Sequence, residues 1–224
     1  MGRITGGTFS TITNGLILYL DSNDPISYAS GSNIWYDISG NENNFIMQGN
    51  ITWNPTTGFS NFTGNSTGNG NKFYSSNSSL GKALKVANGG NGYTTIVWAR
   101  STISGGWRKF FGFSDPDSYI DLYQNTASPY TYHQEDGSSI YVDGILVTND
   151  TYILANTGFH MLVSTNSNGG TTTTPTSTLT IGNEPSGNNY PWGGDISIVQ
   201  LYNRVLSQAE IINNFNSQKS KYGL

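Results

Sequence analysis

Short runs of β-branched and aromatic residues alternate along the chain with stretches of Gly, Asn, Ser and Thr. Runs of this composition bounded by Gly, Asn or Asp predict strands, because branched and aromatic side chains pack well on a pleated sheet. The best of them are residues 16–20, 94–99, 109–113, 139–142, 145–147, 159–163, 179–181 and 196–202. The pattern therefore predicts a protein made mainly of β-strands joined by polar loops.

One hairpin is specified by its turn. Asp143-Gly144 stands between the apolar pairs 141–142 and 145–146. An Asp-Gly dipeptide tolerates the positive φ angles of a two-residue hairpin turn. We therefore expect the strands on either side of it to be antiparallel neighbours.

A single helix is predicted near the end of the sequence. Ser207 and Glu210 have the spacing of a capping box, in which each side chain bonds the other residue's backbone N–H. The apolar positions around the cap and along one helical face are Leu206, Ile211, Ile212 and Phe215. We expect a short helix that packs against a sheet and ends near Lys219.

Composition indicates one folded domain. The chain has 224 residues, of which 13% are aromatic, and its recurring apolar runs distinguish it from disordered sequences. This length fits one large β-domain, and neither an internal repeat nor a Pro-rich linker divides the sequence. We expect a Gly-, Thr- and Ser-rich N-terminal arm over residues 1–13 and one domain over residues 14–224.

Charge and cysteine content exclude several functions. Ten Lys and Arg stand against fourteen Asp and Glu, for a net charge of −4, which leaves no basic surface for a nucleic-acid backbone. No apolar stretch approaches the roughly 18 residues of a membrane span, so we expect no membrane insertion. The absence of cysteine removes disulfides, thiol catalysis and cysteine-based zinc sites.

Several segments carry a likeness to a known family. Residues 15–21 (GLILYLD) and 35–44 (WYDISGNENN) resemble the opening of laminin G-like, concanavalin A-like lectin domains. Residues 179–183, 194–207 and 210–211 resemble their closing strand and helix. The resemblance implies an all-β fold: a two-sheet antiparallel jelly-roll sandwich of the concanavalin A type with one short C-terminal helix. This fold hosts lectins, glycosidases and structural modules, so it does not by itself imply a function.

The last residues suggest a setting for the domain. Asn214-Phe215 and residues 219–224 are similar to the endings of copies found in tailed-phage structural proteins. Assembly in a reducing cytosol also suits a chain without cysteine. The resemblance therefore implies a component of a virus particle.

Catalysis is not expected. Retaining glucanases need two carboxylates about 5 Å apart, usually on one face of a strand. None of the four glutamates, Glu42, Glu135, Glu184 and Glu210, belongs to an alternating acidic pattern. A Ser-His-Asp relay stays open, because sequence does not show what surrounds His133 and His160.

A calcium site is one interpretation of the Asn-rich loop in the opening segment. Its candidate ligands are Asp37, Asn41, Asn43 and Asn44, which offer the hard oxygen atoms that calcium accepts. The interpretation that we favour is structural, since Asp and Asn also stabilise turns through hydrogen bonds to the backbone. Thr63 and Ser197 stand where many relatives have acidic residues, which argues against a family calcium site.

Candidate carbohydrate-binding residues lie in two Gly-rich loops: Trp107, Arg108, Tyr190 and Trp192. Aromatic rings stack on the apolar faces of sugars while polar groups bind the hydroxyls. For Trp107 and Trp192, an exposed platform and a tucked loop anchor are equally open. Trp35 and Trp98 are predicted to lie in the core.

These observations favour a non-enzymatic, lectin-like virion protein, either a phage capsid decoration or a tail-fibre component, that binds surface glycans weakly during host adhesion. It would be made in the host cytoplasm and displayed on the virion surface. The expected partners are other virion proteins, through the N-terminal arm, cell-surface glycans and further copies of the chain. A purely structural spacer or cement protein is the alternative, and a glycoside hydrolase is a third interpretation.

Overall fold

Two antiparallel sheets and one helix make up most of the chain that the structure describes. The computed structural model covers residues 9–63, 70–77, 80, 92–103, 108–112, 139–148, 157–167, 178–183 and 190–224, and the backbone alone of 122–124 and 132–133. The strands are β1 (Leu16–Asp21), β2 (Ile34–Trp35), β3 (Phe45–Gln48), β4 (Thr52–Asn54), β5 (Gly58–Ser60), β6 (Lys72–Ser75), β7 (Tyr93–Ser101), β8 (Arg108–Gly112), β9 (Leu122–Gln124), β10 (Tyr132–His133), β11 (Ser139–Val142), β12 (Ile145–Val147), β13 (His160–Asn166), β14 (Thr180–Ile181) and β15 (Gly194–Tyr202). The helix α1 (Gln208–Gln218) continues into a 3-10 turn (Lys219–Tyr222).

The two sheets are built around different strands. Within the described ranges, the larger sheet has the order β12-β11-β13-β7-β15-β5-β4, with β1 also paired to β15, and the smaller sheet has the order β10-β9-β8-β14-β6-β3-β2. On its second side, β15 pairs with β5 at Ile196 and with β1 from Ile198 to Tyr202. A bulge between Ile196 and Ile198 marks this change of partner.

All eight predicted strands are confirmed, and they form β1, β7, β8 and β11–β15. The other strands were not predicted. They are two to four residues long and lie before residue 76 or between residues 122 and 133. They belong to the smaller sheet and to one edge of the larger sheet.

The main core lies between the two sheets. It is rich in aromatic rings: the Phe59 ring lies 4.6 Å from the Trp35 ring and 4.7 Å from the Phe73 ring, measured between centroids. Trp35 is fully buried, as predicted. Alternate residues of the long strands, such as Val97 in β7, join this core. Burial of large rings is the main stabilising contribution of such a core.

A second core lies between the larger sheet and α1. Trp98, whose burial was predicted, points to this side of β7, and its ring stacks on Tyr222 with centroids 4.3 Å apart. The Trp98 Nε1–H donates to Oε1 of Gln218 at 2.6 Å. Because Ile198 and Tyr202 of β15 also face this side, the centre of the larger sheet is buried on both faces.

The predicted helix is confirmed with its capping box. Ser207 accepts from the Glu210 N–H, and Glu210 Oε2 accepts from the Ser207 N–H at 2.9 Å. Leu206 and Ile211 are buried in the second core. Ile212 was expected on the same face, but it remains 41% exposed at the edge of the sheet. No helix in the described ranges has the length and apolarity needed to cross a membrane.

The predicted hairpin is also confirmed. Val142 pairs with Ile145, so Asp143 and Gly144 form a two-residue turn with φ angles of 53° and 83°. Both angles are positive, as a primed turn requires. Ile212 of α1 lies next to Gly144, and the hairpin and the helix therefore support each other.

The described end of the predicted N-terminal arm packs on α1. The Ile12 N–H donates to Oδ1 of Asn214 at 2.8 Å, and the Ile12 carbonyl accepts from the Tyr202 hydroxyl at 2.9 Å. Thr11 accepts a hydrogen bond from Gln218. Contacts with the domain therefore begin before residue 14.

Candidate functional site

A cleft of about 400 Å³ opens at one end of the larger sheet. Because β15 runs antiparallel to β5 and β7, the beginning of β15 and the ends of the other two strands meet there. The lining residues are Ser60, Asn61, Phe62, Arg100, Thr102, Trp192, Gly193, Gly194 and Asp195. The cleft therefore sits on strand ends and on the short segments that continue them.

Two glycines allow the backbone to form the floor of the cleft. A Cβ atom on Gly194 would lie 1.9 Å from the carbonyl oxygen of Arg100, and one on Gly193 would lie 2.0 Å from Cδ1 of Ile103. The Gly193 carbonyl accepts from the Thr102 N–H at 2.9 Å. Because the Arg100 carbonyl belongs to the backbone, position 194 admits only glycine, and this close approach fixes the floor without help from a ligand.

Arg100 and Asp195 form the charged pair of the cleft. They are direct cross-strand partners in β7 and β15, and Arg100 Nε donates to Asp195 Oδ2 at 2.5 Å. The other carboxylate oxygen accepts from the Thr57 hydroxyl at 3.1 Å. The guanidinium lies over the Phe159 ring, 5.5 Å from its centroid. The Asp195 side chain is 8% exposed and that of Arg100 39%, so the cation is the more accessible partner.

Asn61 forms part of the rim in a constrained conformation. Its φ of 64° is unusual for a residue other than glycine. Its side-chain amide donates to the Asn50 carbonyl at 2.7 Å, and its own carbonyl accepts from the Asn71 amide at 2.7 Å. These bonds hold the segment after β5 in place.

Three of the four predicted sugar-binding residues come together beside the cleft. Arg108 Nη1 donates to the Pro191 carbonyl at 3.2 Å, and the Lys109 N–H donates to the Tyr190 carbonyl at 3.0 Å. The segment that contains Tyr190 and Trp192 is thereby attached to β8. Trp107 lies outside the described residues.

Trp192 is a buried anchor, which is one of the two interpretations that the sequence left open for this residue. Its ring is 1% exposed and packs on Phe110, with centroids 3.7 Å apart. Its backbone N–H donates to the Gly182 carbonyl at 2.8 Å. The indole therefore supports the floor of the cleft and offers no open face for a sugar ring.

The Asn-rich loop forms a hydrogen-bonded clamp. Asp37 Oδ1 accepts from the backbone N–H groups of Tyr19 and Ser39, and Oδ2 accepts from the Ser39 hydroxyl and the Asn43 N–H, all between 2.8 and 2.9 Å. Four acceptor positions are the full capacity of a carboxylate. Asp37 therefore has no free position for a cation.

The neighbouring side chains serve the same loop. Asn44 Oδ1 accepts from the Asp37 N–H at 2.9 Å. The Asn43 amide donates to the Ile17 carbonyl at 2.8 Å, and the Asn41 amide donates to Ser39 Oγ at 2.9 Å. Asn43 Oδ1 also accepts from the Asn77 amide at 2.7 Å. These bonds fit the structural interpretation, in which the Asp and Asn side chains stabilise the loop. Within the described ranges, no group of three or more Asp, Glu or His residues is placed to hold a metal.

A hydrogen-bonded chain of Asp143, His160 and Thr157 lies at the hairpin turn. His160 Nδ1 is 2.6 Å from Asp143 Oδ2, and His160 Nε2 is 3.0 Å from Thr157 Oγ1. Asp143 Oδ1 also accepts from the Met161 N–H at 2.9 Å. The Asp143 carboxylate thus connects the left-handed turn to β13. These hydrogen bonds give Asp143 a structural role in the hairpin.

Arg100 and Asp195 were not among the candidate residues expected from the sequence. The two residues are 95 positions apart, so no local pattern connects them. The signal available in the sequence was a charged residue at one end of each of two otherwise apolar runs. Ser60 and Thr102 were also missed, because neither residue stands out among so many hydroxyl side chains.

Comparison with known proteins agrees with this architecture. Residues 129–212 match a laminin G family model described as the concanavalin A-like lectin/glucanases superfamily. No curated protein sequence matches the chain. Together with the two antiparallel sheets and the C-terminal helix, the family match shows a concanavalin A-like β-sandwich, as predicted.

The fold is similar to that of part of a solved sialidase. Trypanosoma rangeli sialidase in complex with 2,3-difluorosialic acid is 18% identical with a TM-score of 0.54, covering 92% of this chain and 33% of the sialidase. The same sialidase with the inhibitor DANA is 15% identical with a TM-score of 0.54, covering 96% and 34%. Domain 4 of a Geobacillus stearothermophilus arabinanase, in complex with arabinotriose, is 12% identical with a TM-score of 0.49, covering 89% and 97%. The chain spans about a third of the sialidases' length, and at these identities the likeness to them concerns the fold alone.

Proposed function

We propose that the cleft at the ends of β5, β7 and β15 binds carbohydrate and that the protein is a non-enzymatic, lectin-like module. The observation that carries the proposal is a concave polar site on a fixed backbone. Ser60 and Thr102 contribute hydroxyl groups, and Arg100 contributes a planar set of donors. Hydroxyl-rich ligands are recognised by a few such groups that converge on one cavity. Because the floor is preorganised, little conformational entropy is lost on binding.

The carboxylates favour binding over hydrolysis. Glycosidases ordinarily use two carboxyl groups on either side of the scissile bond. Among the described residues that line the cleft, Asp195 is the single carboxylate. Both of its oxygens accept hydrogen bonds, one from Arg100 and one from Thr57. A general acid or nucleophile would need a more accessible oxygen.

The proposed setting is the surface of a tailed-phage particle, as a capsid decoration or tail-fibre component. The support is the similarity of residues 214–215 and 219–224 to endings of phage structural proteins, together with a chain that contains no cysteine. Mass spectrometry of purified particles tests this part. We expect the chain among the virion proteins, and its consistent absence would contradict a virion role.

Thr102→Tyr tests the proposed binding site. Thr102 is exposed at the cleft, and a phenol ring there should occupy the space of a sugar. We expect binding on a glycan array and by calorimetry to fall at least about tenfold. Thr13→Tyr is the matched control, because Thr13 is exposed and lies far from the cleft. Its carbonyl accepts a hydrogen bond from the Leu16 N–H, and Leu16 pairs with Tyr202 at the other end of β15.

Two results would contradict the proposed binding function. Unchanged binding by the folded Thr102→Tyr variant would place the sugar site elsewhere. Absence of binding by the unmodified protein to every arrayed glycan at millimolar concentration would leave the structural spacer as the better account.

A further inference from the structure

We infer that the ligand of the cleft is an uncharged sugar with adjacent hydroxyl groups, which Arg100 binds and for which Asp195 selects by repelling acidic sugars. This inference rests on the proposed carbohydrate-binding function. It assigns different tasks to the two members of one ion pair.

Arg100 supplies the recognition group. A guanidinium carries five N–H donors in one plane, and the bond to Asp195 uses only the Nε donor. In the part of the chain that the structure describes, neither Nη1 nor Nη2 of Arg100 has a hydrogen-bond partner. The remaining edge of this planar group can donate two parallel hydrogen bonds, a geometry that fits adjacent oxygen atoms.

The Phe159 ring and the Asp195 carboxylate fix the plane of this group. The guanidinium lies over the ring at 5.5 Å and bonds the carboxylate through Nε. An arginine held by an aromatic face and an ion pair loses little side-chain entropy when a ligand binds. The donors are therefore positioned before a sugar arrives.

Asp195 makes the cleft electrically neutral. Arg100 and Asp195 are the two charged residues in the described lining, and their charges cancel. A carboxylated sugar that approaches Arg100 also approaches Asp195, so repulsion offsets the attraction. The net charge of −4 on the whole chain acts in the same direction. Unfavourable contacts with the wrong ligand are a common source of specificity.

The test is a glycan array that carries each backbone in a neutral form and in a uronic-acid form. We expect the unmodified protein to bind neutral forms. Arg100→Lys, which keeps the charge and loses the planar donors, should weaken this binding about tenfold. Asp195→Asn, which leaves the Arg100 charge uncompensated, should strengthen binding of the uronic-acid forms about tenfold.

Glu42→Gln is the control for Asp195→Asn. It removes the same charge from an exposed residue at the far end of the sheet. The neighbouring Asn41 amide donates to the carbonyl of Leu16, which pairs with Tyr202 at that end. The rise of β15 separates the two ends by about 25 Å. We expect this variant to keep the preference of the unmodified protein, and thermal unfolding verifies that each variant is folded.

The outcomes distinguish this inference from the function on which it rests. A preference of the unmodified protein for uronic-acid forms, or neutral binding that neither Arg100→Lys nor Asp195→Asn alters, would overturn the inference and leave carbohydrate binding intact. If Asp195→Asn does not fold, Arg100→Lys decides the inference alone. Absence of binding to every glycan would overturn both.

Discussion

The ring of Trp192 packs against the ring of Phe110, with centroids 3.7 Å apart and planes inclined by 32°. This contact joins the segment before β15 to β8 in the smaller sheet. The Trp192 indole Nε1–H also donates to the Asp195 carbonyl at 3.3 Å. One buried side chain thus connects the main core to the backbone of the residue that carries the cleft's carboxylate.

Trp192→Ala should therefore act first on stability. Truncation of a buried tryptophan typically costs about 3–5 kcal/mol, and we expect a loss of this size in chemical denaturation. Glycan binding should fall with it, because the floor of the cleft loses its support. A Trp192→Ala variant with unchanged stability but no binding would show that the indole contacts the ligand directly.

Glu210 predicts a dependence of stability on pH. Hydrogen bonds from Arg204, with further bonds from Ser207, lower the pKa of Glu210 to about 2. A carboxyl group whose pKa is lower in the folded than in the unfolded chain stabilises the fold at pH values above its unfolded pKa. This contribution is lost as the pH falls toward the folded pKa. At neutral pH, we expect the free energy of unfolding of the unmodified protein to be higher than that of the Glu210→Gln variant. This difference should disappear as the pH falls to about 2. A difference that is constant with pH would contradict this assignment.

Asp37 should stabilise the fold through its hydrogen bonds, without bound calcium. Asp37→Asn would place an amide group against N–H or O–H donors that now face a carboxylate, and we expect a loss of about 2–3 kcal/mol. Calcium chloride and a chelator should leave the melting temperature of the unmodified protein unchanged. A saturable increase with calcium that Asp37→Asn abolishes would show a metal site instead.

A side chain at position 144 should strain the hairpin. Gly144→Ala puts a side chain at a φ of 83° and a Cβ atom 3.2 Å from Cγ1 of Ile212. Left-handed backbone costs about 1–2 kcal/mol for a residue with a Cβ, so stability should fall by at least this amount. Gly31→Ala is the control, since its φ is 85° and no atom lies within 4 Å of the added Cβ. Equal losses in the two variants would show that contact with the helix adds nothing.

Local signals predicted the helix and the hairpin. The Ser207 cap and the Asp143-Gly144 turn depend on residues adjacent in sequence, so their patterns are visible before folding. The strands that were missed depend on distant partners. Phe45 of β3 pairs with Ser75 of β6, and neither short segment has a strong apolar pattern of its own.

The candidate site was less predictable than the fold. Arg108, Tyr190 and Trp192, which the sequence offered as candidates, lie at or beside the proposed cleft. Arg100 and Asp195 become neighbours only through the register of β7 and β15, which sequence periodicity does not define. The burial of Trp192 likewise depends on Phe110, which lies in the other sheet.

Binding at the cleft is tested most directly by an NMR titration of ¹⁵N-labelled protein with a neutral oligosaccharide selected from the array. We expect the backbone amide signals of Ser60, Thr102 and Gly193 to shift in a saturable way, together with the Nε signal of Arg100. Signals at the far end of the sheet, such as Thr13, should remain unchanged. Saturable shifts confined to residues outside the cleft would contradict sugar binding at this site.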